Sequence, residues 1–228
     1  MTKKALQFSL VLATVFILAN MAIYQSQAGS IEDEILVLKQ AVELAPDDAN
    51  AYYDLGNAYS KAGRHEDAIE ALKQAVAIDP HSARAYYGLG MEYGRIGRLD
   101  FAVDALKEAI RINPDFAEAH YKLGFIYGRV GIVDGAIKSF KEVVRINPNF
   151  SGGYFNLGVA YGNAGRHEDA IEAFKAAVMV NPDDAEAHCG LGYEYESVGN
   201  RAAALEQRNI LERLDKGLAS RLSKLIGR

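Results

Sequence analysis

Gly63 to Glu70 reads GRHEDAIE, and the same eight letters return at Gly165 to Glu172. A histidine beside two carboxylates is a combination that can hold a metal ion or pass a proton. Three further histidines, His81, His120 and His188, complete the set of five. No motif with metal-ligand spacing such as HExxH accompanies them, and there is no Gly-rich phosphate loop, paired-carboxylate cleft or nucleophile elbow. Cys189 is the one cysteine, which rules out an internal disulfide and a cysteine-built metal cage. The copies stand 102 residues apart, too far in any extended array to share one ion. The residues point to scaffolding: Glu66 and Asp67 fall in a first helical turn, where the dipole favours negative charge by about 0.3–1 kcal/mol. No catalytic residue, metal site, cofactor or small-molecule substrate is expected.

The separation of 102 is three times 34, and a pitch of 34 runs through the chain. All five prolines keep it: Pro46, Pro80, Pro114, Pro148 and Pro182. So do Leu55, Leu89, Leu123, Leu157 and Leu191, each followed by glycine. Tyr59, Tyr93, Tyr127, Tyr161 and Tyr195 follow the same pitch, as do Gly63, Gly97, Gly131, Gly165 and Gly199 and the alanines 68, 102, 136, 170 and 204. Each unit reads as two helices. Ala51, Leu55, Ala58 and Tyr59 share one helical face, and Gly63, a residue free to take a positive φ, ends that helix. Ala68, Leu72, Ala75 and Val76 share the face of a second helix, which Asp79-Pro80 stops.

On these residues the chain resembles the tetratricopeptide-repeat family, a 34-residue helix–turn–helix array. Tyr52, Leu55-Gly56, Tyr59, Ala68, Leu72, Ala75 and Pro80 carry the pattern in the first repeat. The resemblance implies an all-α fold, a right-handed superhelical solenoid of antiparallel helix pairs. Full repeats are expected at 49–82, 83–116, 117–150, 151–184 and 185–218. Residues 31–48 supply a second helix only. The fifth repeat is degenerate, with Arg208 at the aromatic position and Lys216 at the proline position. Leu218, Leu222, Leu225 and Ile226 form the apolar stripe of a capping helix at 216–228. His120 and His188 take the core place of Tyr52, Tyr86 and Tyr154, so packing is expected of them; His81 falls in a turn.

In this family partners lie in the concave groove lined by first helices. The resemblance places there Tyr53, Tyr87, Tyr121 and Phe155, with Cys189 in the last repeat. Asn57, Met91, Phe125, Val159 and Tyr193 come next, with Lys61, Arg95 and Arg129 along an edge. Gly94, Gly128 and Gly162 would widen the middle. The alternative is that the tyrosines stiffen the array. The Lys/Asn clamp with which some family members hold chaperone tails finds only Asn57 here, so an extended segment or an amphipathic helix is the better occupant. Ser151-Gly152-Gly153 is the weakest helix start and a candidate hinge between repeats three and four.

The first thirty residues are a separate object. Lys3 and Lys4 precede 27 uncharged residues, Ala5 to Ile31. Ala5 to Tyr24 would make about 30 Å of helix, enough to span a bilayer. The basic flank keeps the N-terminus cytoplasmic and sends the repeats across. Ser26-Gln27-Ala28 is a small-x-small step, so beside the plain alternative of a buried core helix two leading readings stand: an uncleaved anchor, or a signal peptide cleaved after Ala28. Both predict export, with the repeats extracytoplasmic and membrane-anchored or soluble there. A net charge of −5 disfavours nucleic acid as a partner. The expected function is a protein-interaction scaffold in assembly of a multiprotein complex. Self-association, and service as an accessory module of an enzyme complex, are the alternatives.

Overall fold

The structure, a computed structural model, describes residues 30–227. The export segment read at 1–30 therefore lies outside the described residues, save Ser30. Among the described residues no helix is long and apolar enough to cross a membrane.

Twelve helices and no strands make up the described chain: α1 Ile31–Leu44, α2 Ala49–Lys61, α3 His65–Ile78, α4 Ala83–Arg95, α5 Leu99–Ile112, α6 Ala117–Arg129, α7 Val133–Ile146, α8 Ser151–Asn163, α9 His167–Val180, α10 Ala185–Ser197, α11 Arg201–Leu214 and α12 Lys216–Ile226. This is the all-α solenoid of paired helices that the 34-residue pitch implies. Its contacts gather into two compact units, one ending at Ile112 and the other beginning at Asn113.

The turn inside every pair is built the same way. Gly63, Gly97, Gly131, Gly165 and Gly199 have φ of 74°, 77°, 78°, 69° and 74°. In the first, Arg64 N–H donates to the Tyr59 carbonyl (2.9 Å) and Gly63 N–H to the Ser60 carbonyl (3.0 Å). That is a Schellman closure, which needs a left-handed residue at the glycine. The invariant tyrosines thus supply the carbonyl that ends each first helix. The guanidinium groups of Arg64 and Arg166 also lie 4.5 Å over the Tyr59 and Tyr161 rings.

Pairs close because the second glycine series has no side chain. A Cβ at Gly56 would stand 2.7 Å from Leu72 Cγ, and one at Gly90 2.7 Å from Leu106 Cγ. Phe140 and Phe174 ride on Gly124 and Gly158 in the same way. In the last repeat Arg208 cannot fill that place, and Leu222 of α12 seats on Gly192 instead.

In the unit ending at Ile112, Ile35 and Leu38 of α1 bury against Leu55, Ala58 and Tyr59. In the unit beginning at Asn113, the core runs from Ala136 and Phe140 through Leu157 and Tyr161 to Phe174 and Leu191. The capping helix continues it with Ala219, Leu222 and Ile226 around Cys189 and Leu211.

The hinge expected at Ser151 to Gly153 is not where the units divide. The Phe150 ring packs on Gly152 and Gly153, and Gly153 also meets Val143 and Val144. The two glycines make room for an aromatic ring that side chains would displace. Phe150 stands where Asp48 and Asp184 cap their helices, and it makes no side-chain cap bond. That helix start exchanges a cap for ring packing.

Candidate partner-binding face

The site residues come from the first helix of each repeat, and each unit carries its own set. In the unit ending at Ile112, Tyr53 packs against the Leu72–Leu89 cluster. Asn57, Tyr87 and Met91 are half-buried. Lys61 Nζ pairs with Glu34 Oε1 at 3.1 Å. Arg95 donates to the Ser60 hydroxyl at 2.5 Å and to Glu92. Two of the three cations on the expected basic edge are thus neutralised by acids of their own chain.

In the unit beginning at Asn113, Tyr121 meets the Phe140 and Phe150 rings edge-on at 5.8 and 5.5 Å. Its hydroxyl accepts from Asn156 Nδ2 at 3.1 Å, tying α6 to α8. Phe155 stands edge-on to Phe174 at 5.7 Å. These rings stiffen the pairs. The residues one turn further on behave differently: Phe125 is 52 % and Val159 38 % exposed. Arg129 is exposed and has no partner among the described residues. A Cβ at Gly94 or Gly128 would meet nothing within 4 Å, so the backbone is open at both.

Two expectations for this face fail. Gly162 is not open, because Glu194 Oε1 stands 2.5 Å from where its Cβ would be. Cys189 is 7 % exposed, buried with Leu222 and Ile226 beneath the capping helix, and Tyr193 is half-covered by the same cluster. Burial pushes the Cys189 thiol above its ordinary value, against a smaller pull from Arg221.

The GRHEDAIE histidines are structural, and their partner is a residue that composition gave no cause to notice. His65 Nδ1 lies 2.7 Å from Glu92 Oε2, and His167 Nδ1 lies 2.7 Å from Glu194 Oε2. Glu92 is 2 % exposed. The chain does hold the signal. Counting 27 residues on from the first position of a second helix gives His65 with Glu92, Val133 with Ala160, and His167 with Glu194. Polar answers polar and apolar answers apolar. The first turns hold further ion pairs, Arg64 with Asp67 and Arg166 with Asp169. His120 and His188 are packed, 8 % and 7 % exposed. Their Nε2 atoms lie 2.9 and 3.0 Å from the carbonyls of Pro114 and Pro182. His188 also reaches the Gln207 side-chain amide at 2.7 Å. Among the described residues no group of three His, Cys, Asp or Glu is placed to hold a metal ion.

Models of the tetratricopeptide repeat match residues 47–115, 117–150 and 152–184, and a TPR-repeat model matches 27–63. No curated protein matches the chain. Among solved structures, YrrB, described as a TPR protein with an unusual peptide-binding site, is similar at 26 % identity and a TM-score of 0.74, over 82 % of this chain and 97 % of that one. A MamA structure is similar at 34 % identity and a TM-score of 0.66, over 72 % of this chain and 95 % of the other. A second MamA structure gives 32 % and 0.68, over 76 % and 94 %. With its glycine closures and 34-residue helix pairs, the chain belongs to the tetratricopeptide-repeat family.

Proposed function

We propose that this protein is a non-catalytic interaction scaffold that holds a peptide segment or helix of a partner protein against its first-helix face. One observation carries the reading. Phe125 and Val159, at the same repeat position on successive first helices, leave 52 % and 38 % of their surface to solvent, beside the open backbone of Gly128. Apolar side chains exposed in register on a rigid face are where interface energy concentrates. The similarity to YrrB, a TPR protein with a peptide-binding site, supports the same use. Residues 5–24 carry export or anchoring, so the scaffold gathers its partners into a complex at the extracytoplasmic side of a membrane. Six residues, 25–30, would keep a tethered array within about 20 Å of the bilayer.

The test is selection of twelve-residue peptides from a random displayed library against the full chain. Selected peptides should lose affinity at least tenfold on Phe125→Ala and Val159→Ala, each a loss of more than about 1.4 kcal/mol. They should keep it on Met179→Ser, which alters an 82 % exposed residue of a second helix. Retention by both first-helix variants overturns the reading. Fractionation and N-terminal mass spectrometry of the expressed chain decide between an anchor and cleavage after Ala28.

A further inference from the structure

The two GRHEDAIE copies hold their histidines identically but finish their glutamates differently. In the first copy Glu92 Oε1 accepts from the Ser60 hydroxyl at 2.7 Å and from the Arg95 guanidinium. The carboxylate is 3 % exposed and fully paired. In the second copy the residues at those two repeat positions are Gly162 and Ser197. The Ser197 hydroxyl turns away to the Tyr193 carbonyl at 3.0 Å, and Gly162 has no side chain to offer. Glu194 Oε1 rests over the bare Gly162 backbone, and His167 is the only donor to that carboxylate among the described residues. The Glu194 side chain is 14 % exposed, so it is sheltered from water without being enclosed. Two residues on, Glu196 Oε2 is buried with no hydrogen-bond partner. No cation lies on the two helices concerned: α8 has no charged residue, and the charges of α10 are Glu186, Glu194 and Glu196. A carboxylate taken from water without its donors is costly, and the first copy shows which donors the site is shaped for.

We infer that the partner brings the missing donor. The first-helix face of the unit beginning at Asn113 takes a peptide whose arginine enters over Gly162 and pairs with Glu194, in the place Arg95 and Ser60 fill one copy earlier. Flanking apolar side chains of the peptide rest on Val159 and Phe125. A guanidinium suits the position because its planar fork brings two donors to one carboxylate, which an ammonium does not. This rests on the proposed scaffold function and names the chemistry of its partner.

The test uses fluorescein-labelled nonapeptides of leucine and glutamine with one central arginine, against twins with citrulline at that place. Citrulline keeps the length and the planar end group, replaces one terminal nitrogen with a carbonyl oxygen and removes the charge. Titrated onto the full chain and read by anisotropy, the arginine peptide should bind at least about tenfold tighter. Gly162→Ser with Ser197→Arg, which transplants the first copy's own donors, should shrink that preference to within about twofold. Glu194→Gln should do the same and carries the test if the double variant melts early by circular dichroism. Equal affinity for the twins, or a preference that survives both variants, overturns the inference. If the twins bind equally yet both weaken on Phe125→Ala, the inference falls and the scaffold reading stands. If neither peptide binds, both fall.

Discussion

Gly158 lies directly under the Phe174 ring: a Cβ there would come within 2.9 Å of three ring carbons. The same letter at Gly128 meets nothing within 4 Å. Two helical glycines of one helix-pair array thus have opposite reasons to exist. Gly158→Ala should destabilise the chain by about 1–2 kcal/mol, since overpacking outweighs the helix-propensity gain. Gly128→Ala should stabilise it by up to about 0.5–1 kcal/mol. Urea unfolding of the two variants reads the difference in sign; equal effects would refute the assignment of Gly158 to close packing.

The left-handed turn glycines make a separate prediction. Gly97→Ala, at φ 77° with open space around it, changes backbone strain and nothing else. It should cost about 1–2 kcal/mol, and Gly97→Asn should recover part of that. A thermal melt that ranks Asn with Ala would show that the turn does not depend on the left-handed region.

Much of this arrangement is written in the repeat. The 34-residue pitch puts every glycine closure and every Leu-Gly contact in place, because both depend on local backbone and on one helix's own partner. The face was legible only in part. Phe125, Val159 and Arg129 are open as their repeat positions imply, but Lys61 is tied to Glu34 of the preceding repeat, and Arg95 to Glu92 on its own helix and to Ser60 of the repeat before it. Cys189 fails for a related reason. Its repeat position is solvent-facing only if nothing follows α10 on that side, and α12 packs there. The Ser151-Gly152-Gly153 run read as weakness because glycine lowers helix propensity; the Phe150 ring seated on it turns the same glycines into a packing site.

Removal of the capping helix should expose that cysteine. In the intact chain the Cys189 thiol, buried and with its pKa raised, should react slowly with a thiol reagent at pH 8. A chain ended at Asp215 should react at least tenfold faster while keeping most of its helical signal. Unchanged reactivity would mean that α12 does not cover Cys189 in solution.

Asp54 gives a pH dependence of known sign. Burial first, and then the negative charge of Asp48, raise its pKa above the ordinary 3.8. The folded chain therefore binds this proton more tightly than the unfolded chain, so stability falls as pH rises from about 3.8 through the folded value and stays lower at neutral pH. Asp54→Asn should stabilise the protein at pH 7 by about 0.5 kcal/mol or less, solvent screening keeping the effect small. The gain should vanish below the ordinary value. Melting curves at pH 7 and pH 3 check it; a gain that is larger at pH 3 contradicts the sign.

The most direct measurement of the central claim is hydrogen exchange of the full chain with and without a library-selected peptide. Slowed exchange should concentrate in the first helices, residues 117–129 and 151–163 above all, and leave the second helices 133–146 and 167–180 unchanged. Protection confined to the second helices, or protection absent while the peptide remains bound, would contradict a partner seated on the first-helix face.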